Sequence, residues 1–217
     1  MIDVDVVLPC LDEAEALRGV LRALPAGCRA LVVDNGSTDG TPDVARGLGA
    51  TVVHEPRRGY GAAVHTGLER ARTELVAVLD ADGSLDPGAL PELVRAVAED
   101  RADLAVGRRV PVARGTRPWH AGAANAVLAA VLRRRGLPVH DIAPIRVGRR
   151  ADLLALGVTD RGFGYPLELL VRAADARWRV HEVDVAYRPR AGGRSKVSGS
   201  LRGTLRAARD MAAVVRA

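Results

Sequence analysis

Aromatic side chains make up only 3% of this 217-residue chain. With so few rings to stack on unpaired bases, single-stranded nucleic acid is set aside and no nucleic-acid partner is expected. Lysine is almost missing, Lys196 being the only one, so the net charge of +6 rests on arginine. That surplus suits an anionic membrane surface or a phosphorylated substrate, although part of it follows a general bias toward arginine, alanine and valine. The two cysteines, Cys10 and Cys28, are too few for a disulfide framework, lack metal-ligand spacing and read as reduced thiols. No apolar run approaches the roughly 18 to 20 residues that a spanning helix needs. No cationic start leads into an apolar stretch and a cleavage site, so the expected location is cytoplasmic. The length suits one domain, 1–217.

What is present centres on Leu75 to Ser84, LVAVLDADGS. An apolar run into Asp80, Ala81 and Asp82 is the pattern of a buried strand that surfaces in paired carboxylates. Alternation along an extended chain sends Asp80 and Asp82 to the same side, close enough to share one cation and the phosphates it carries. An Asp-x-Asp triplet alone is weak, and Asp86 reads as the cap of a helix opening at Pro87.

The rest of the chain alternates strands and helices. Strands are expected at Val4–Pro9, Ala30–Val33, Thr51–His54, Leu75–Leu79 and Leu104–Gly107. Helices are expected from Asp12, from Thr41-Pro42, at Gly59–Arg72, Pro87–Glu99 and Trp119–Arg135. Beyond Gly136, Val139–Arg146 reads as extended, Arg149–Leu156 and Tyr165–Ala176 as helical, Trp178–Tyr187 as a strand, and Leu201–Val215 as an amphipathic helix. Such alternation implies a mainly parallel, Rossmann-like α/β sheet with helices on both faces. Ligands in these sheets bind at the carboxyl ends of strands. The unusual loops, Pro9–Glu13, Asp34–Gly40 and Asp80–Ser84, all fall there.

Gly59-Tyr60-Gly61 at a helix start can either hold an anion on its amides or allow tight packing. The third glycine of a dinucleotide fingerprint is replaced by Val64, and there is no P-loop. Asp34 suits a base edge or ribose, or else an Asx turn.

Val7-Leu8-Pro9 with Asp12-Glu13, Val-Val-Asp-Asn-Gly-Ser-Thr-Asp-Gly-Thr at 32–41, Gly-Tyr-Gly-Ala-Ala at 59–63, Leu-Asp-Ala-Asp at 79–82 and Gly-Gly-Arg-Ser-Lys at 192–196 occur in this order. Together they resemble the family-2 glycosyltransferases, most of all the branch of dolichyl-phosphate mannose synthases and polyprenyl-phosphate sugar transferases. The chain departs from the family pattern at Asn35 (commonly Asp), Leu11 (aromatic), Tyr60 (Lys), Ser84 (Gln) and in the altered segment Asp141–Arg146.

The resemblance implies a GT-A fold, a nucleotide-diphosphate sugar donor, and Mg²⁺ or Mn²⁺. It places Pro9, Leu11, Glu13 and Asp34 around the nucleoside, Asp80 at the ribose or metal and Asp82 at the metal, with Asn35, Gly59, Gly61 and Ala81 as further substrate-binding candidates. Residues 1–110 would form the nucleotide-sugar half, 111–200 the acceptor half and 201–217 a C-terminal helix. The expected reaction is an inverting hexose transfer to a polyprenyl-phosphate or other phosphorylated acceptor, with peripheral contact at the inner membrane surface. Arg117, Arg194, Ser195 and Lys196, with Arg114 and Arg188, are the phosphate-gripping candidates. A soluble hydroxyl acceptor would instead need a base, Asp141 first and Glu168 second. A catalytically silent nucleotide-sugar binding module is the remaining alternative.

Overall fold

The computed structural model describes residues 2–113, 116, 118–192, 209 and 211. The strands are β1 (Val4–Cys10), β2 (Cys28–Asp34), β3 (Thr51–His54), β4 (Leu75–Val78), β5 (Leu104–Pro111), β6 (Ile145–Arg149) and β7 (Val180–Tyr187). They form one sheet in the order β3-β2-β1-β4-β6-β5-β7. Neighbours pair in parallel except β6, which runs antiparallel to both β4 and β5. The helices are α1 (Ala14–Ala23), α2 (Thr41–Gly47), α3 (Tyr60–Arg70), α4 (Leu90–Ala98), α5 (Trp119–Arg134), α6 (Arg150–Ala155) and α7 (Tyr165–Asp175).

Both faces of the sheet are covered, and strand alternation divides the apolar residues between them. Val4, Val6 and Leu8 of β1 enter one core with Leu17 and Val20 of α1 and Leu93 and Val97 of α4. Val7 points the other way, into a core with Val64 and Leu68 of α3 and Leu167 and Leu170 of α7. Helix α3 lies close on the sheet because Gly67 has no side chain: a Cβ there would stand 2.2 Å from Val7 Cγ1. Asp86 caps a short 3-10 turn at Pro87–Ala89, its side chain accepting from the Gly88 amide at 2.9 Å, and α4 follows.

Most expected elements form within a residue or two of the expected bounds. The largest difference is at Val139–Arg146, where the chain is extended only from Ile145 onward. Ala143 takes a positive φ of 40° and is followed by Pro144, so the backbone turns there before β6 can pair. The expected helix at 201–217 lies outside the described residues.

This topology fixes where chemistry can occur. Strands β2 and β3 lie on one side of β1 and β4 on the other, so the carboxyl ends of β1 and β4 flank a point where strand order reverses. The loops after β1, β2 and β4 leave from that edge.

Candidate active site

A cavity of about 420 Å³ opens at this edge. Its wall includes Pro9 at the end of β1, Leu11 and Glu13 after it, Asn35 after β2, Arg58, Gly59 and Tyr60 leading into α3, Asp80, Ala81 and Asp82 after β4, and Arg190 after β7. A second cavity of about 220 Å³ adjoins it, with Ser84, Arg109, Pro118, Ala121, Ile142, Arg146 and Tyr187 in its wall. Tyr60, Asp80, Asp82, Phe163 and Arg190 line both. The acids therefore stand in a shared partition.

The loops are laced by side chains whose roles follow from their donor and acceptor inventory. Asp12 Oδ1 accepts from the Thr38 amide at 2.7 Å, and the Glu13 amide donates to Thr41 Oγ1 at 2.9 Å. Asn35 donates through Nδ2 to the carbonyls of Glu55 (2.9 Å) and Arg57 (2.7 Å) and accepts from the Gly59 amide through Oδ1 (2.8 Å). A carboxylate could accept but could not donate, which accounts physically for Asn35 where the family commonly has Asp.

Asp34 is a different case. It is buried outside the wall of either cavity, accepting from the Ser37 amide at 3.0 Å and lying 3.1 Å from His54 Nδ1. Burial alone would raise its carboxyl, but hydrogen bonds from Ser37, His54 and Gly36 win and hold it below the ordinary aspartate range. The Asx-turn alternative describes this geometry.

At Gly59 and Gly61 the structure shows the packing alternative, with Gly59 also in the wall of the larger cavity. The Gly59 amide is taken by Asn35, and the amides of Gly61 and Ala62 donate to the carbonyls of Gly162 (3.0 Å) and Arg161 (2.9 Å). Gly59 has φ 147°, and a Cβ there would stand 2.1 Å from the Arg161 carbonyl oxygen. Close packing against 161–162 is what these glycines allow.

Asp80 and Asp82 come together as the spacing suggested, although β4 ends at Val78 and the acids sit on the turn beyond it. Asp80 accepts a hydrogen bond from the Tyr60 hydroxyl at 3.2 Å, so Tyr60 supports the acid directly. Burial, then the charge of Asp82, pushes the Asp80 carboxyl up to about 6, against the opposing pull of Arg146 and Arg109. Asp82 accepts from the Ser84 amide at 2.8 Å and faces Arg190 Nη1 at 2.9 Å. Two converging carboxylates in an apolar cleft fit a hard divalent cation. Among the described residues no group of three or more acid, histidine or cysteine side chains could hold a metal alone. The residues therefore fit an ion that completes its shell with phosphate oxygens and water.

The candidate bases lie elsewhere. Asp141 is 1% exposed and receives Arg109 Nε at 2.8 Å, Arg109 Nη2 at 2.7 Å and the Arg109 amide at 2.9 Å. Glu168, on α7, accepts from the amides of Thr159 and Asp160 and pairs with Arg172 at 2.7 Å. Neither is in the wall of these two cavities. In the structure both carboxylates are engaged in tying loops together. Arg188 pairs with Asp86 at 3.3 Å and also lies outside both walls. Arg114, Arg117, Arg194, Ser195 and Lys196 lie outside the described residues.

Sequence reasoning missed Arg109, Arg146 and Arg190. Arg146 is 2% exposed and donates to the Ile142 carbonyl at 2.7 Å. One of 31 arginines carries no local mark of burial. Position just after β7, in the basic loop, was the only available signal for Arg190.

Comparison with known proteins shows the family and the fold. A family profile described as Glycosyl transferase family 2 matches residues 5–155. An uncharacterized glycosyltransferase of Mycobacterium bovis is 61% identical over 213 residues, covering 98% of this chain and 97% of that protein. An undecaprenyl-phosphate mannosyltransferase of Micrococcus luteus is 34% identical over 218 residues, covering 91% and 88%. Among solved structures, glucosyl-3-phosphoglycerate synthase of Mycobacterium tuberculosis, in complex with Mn²⁺, UDP and glucosyl-3-phosphoglycerate, superposes with a TM-score of 0.79 at 24% identity. It covers 99% of this chain and 78% of that one.

Proposed function

Because the chain belongs to glycosyl transferase family 2 and carries the GT-A fold, we propose that it is an inverting transferase. It moves a hexose from a GDP- or UDP-linked sugar to a polyprenyl-phosphate-like acceptor. The observation that carries this reading is the acidic partition, with Asp80 and Asp82 facing both cavities. The larger cavity takes the donor, its nucleoside against Pro9, Leu11 and Glu13, and the smaller takes the acceptor head group. Asp80 and Asp82 would be the residues that hold Mg²⁺ or Mn²⁺. When bound, that ion supplies positive charge to the departing nucleoside diphosphate.

The transfer is a single displacement. An acceptor phosphate oxygen forms the bond to the anomeric carbon as the bond to the β-phosphate oxygen breaks, and the electron pair leaves with the nucleoside diphosphate. A phosphate is already anionic near neutral pH and needs no proton removed. The engagement of Asp141 by Arg109 and of Glu168 by Arg172 supports this over a hydroxyl acceptor. Arg146, in the wall of the smaller cavity and outside the Arg109–Asp141 pair, favours an anionic head group there.

A lipid acceptor also requires access to a membrane surface. No helix among the described residues is long and apolar enough to cross a membrane. Helix α5 instead exposes Trp119 (84%) and Val127 (63%), and Pro118 and Ala121 at its start line the acceptor cavity. We assign this face to peripheral contact at the inner membrane surface.

A thermal-shift panel of UDP- and GDP-sugars with and without Mn²⁺ tests the reading. One nucleotide sugar should stabilise the chain only with metal, by roughly 5–10 °C near a hundredfold excess over Kd. The same sugar should then be transferred to polyprenyl phosphate. Binding without transfer to any acceptor would instead favour a silent binding module.

A further inference from the structure

We propose that Arg190 is a resident counter-ion of the acidic partition, one that must leave Asp82 and Glu13 before a divalent metal and its nucleotide can be held there. The inference rests on the donor-site reading above and names the residue that gates that site.

The fork of Arg190 spans two loops. Nη2 lies 2.7 Å from Glu13 Oε1, beyond β1, and Nη1 lies 2.9 Å from Asp82 Oδ2, beyond β4. One guanidinium thus joins the two strand ends that flank the switch point. It occupies an acid that a metal ion needs, so cation and guanidinium compete for Asp82.

The surrounding backbone explains how the side chain can leave without unseating its segment. The Arg188 amide donates to the Ser84 carbonyl at 2.9 Å and the Ala191 amide to the Asp82 carbonyl at 3.0 Å, while Leu85 and Tyr187 form an antiparallel bridge. Gly83, at φ 72°, permits the approach, since a Cβ there would stand 2.9 Å from the Ala191 Cβ. These contacts fix residues 187–191 on the acid loop whether or not the guanidinium is engaged. The side chain of Arg190 is itself 26% exposed, and its Nε is buried with no hydrogen-bond partner. A guanidinium held through its two terminal nitrogens at a cavity wall, with Nε left unpaired, is poised for exchange. Because Arg190 lines both cavities, its departure on donor arrival also reshapes the acceptor side.

The test measures Mn²⁺ binding by electron paramagnetic resonance, with and without UDP or GDP, in the intact chain and in Arg190→Gln and Arg190→Lys. In the wild type, nucleotide should strengthen Mn²⁺ binding strongly, because the pair together displaces the guanidinium. In Arg190→Gln, Mn²⁺ alone should bind roughly tenfold tighter and the nucleotide-induced gain should shrink by a similar factor. Arg190→Lys keeps the charge but cannot span both carboxylates, and should fall between, which also separates exchange from misfolding. Unchanged Mn²⁺ affinity in both variants, with nucleotide binding intact, overturns this inference alone. Failure of Mn²⁺ and nucleotide to bind the wild type overturns the donor-site reading, and this inference with it.

Discussion

Asn35 ties the loop after β2 to the approach of α3 by donating to two carbonyls and accepting from one amide. Asn35→Asp removes both donated bonds and sets a carboxylate against the Glu55 and Arg57 carbonyl oxygens. The variant should lose about 2–3 kcal/mol in urea unfolding, since buried acceptors are then left facing acceptors. An unchanged midpoint would show that the residue's amide is dispensable. Asp80 presents the reverse situation, a charge kept at the expense of the ligand-free fold. Its carboxyl is raised from 3.8 to about 6, so folding favours the protonated acid. The sign follows: this group costs stability as pH rises from about 4 through 6, and the cost remains above that window. Asp80→Asn should therefore melt higher than the wild type at pH 7, and the gap should close as pH falls toward 4. The same variant should lose the metal-dependent donor stabilisation. A lower melting temperature for Asp80→Asn at neutral pH would contradict the strain assigned to that carboxylate.

At the scale of elements, legibility tracked how local each determinant was. Helix and strand periods and the cap at Asp86 depend on neighbours in sequence, and they were readable. Asp80 and Asp82 line the same two cavities, but from the turn beyond β4, so the strand alternation that singled them out is not what sets their direction. The turn at Ala143-Pro144 and the antiparallel placement of β6 depend on partners from β4 and β5, which no window of sequence contains. Arg109 and Asp141 find each other across 32 residues, so Asp141 looked like an available base when read alone. Helix α5 was legible as a helix but not as a surface. Its exposed side carries Trp119, Ala123, Ala126 and Val127, no acid occurs along it, and exposed Arg133, Arg134 and Arg135 stand at its end. An apolar stripe ending in arginines suits an anionic bilayer. Wild-type chain should float with phosphatidylcholine vesicles containing roughly 30% phosphatidylglycerol and release as salt rises. Trp119→Ser combined with Val127→Ser should weaken flotation about tenfold, as two interfacial apolar anchors are lost. Equal flotation by the double variant would move the membrane contact to another face.

For the molecule as a whole, α3 is the member on which both halves of the site close. Through Gly67 it lies against Val7 of β1, the strand that leads into the wall of the larger cavity. Through Gly61 it lies against the other half, where a Cβ would stand 2.7 Å from Tyr165 Cβ and 2.9 Å from the Arg161 carbonyl carbon. One core joins Val7 and Val78 with Leu132, Leu167 and Leu170, so apolar residues on either side of residue 110 are buried together. The residues before and after 110 should therefore unfold as one cooperative unit. Calorimetry should show a single transition whose van't Hoff and calorimetric enthalpies agree. Gly61→Ala, which forces a methyl between α3 and the backbone of 161, should lower that whole transition by about 1–3 kcal/mol rather than split it. Because α3 also carries Tyr60 into the wall shared by both cavities, the variant should weaken donor and acceptor binding together. Two resolved transitions, with only one moved by Gly61→Ala, would mean that the halves fold independently and that the partition between the cavities is an interface between domains.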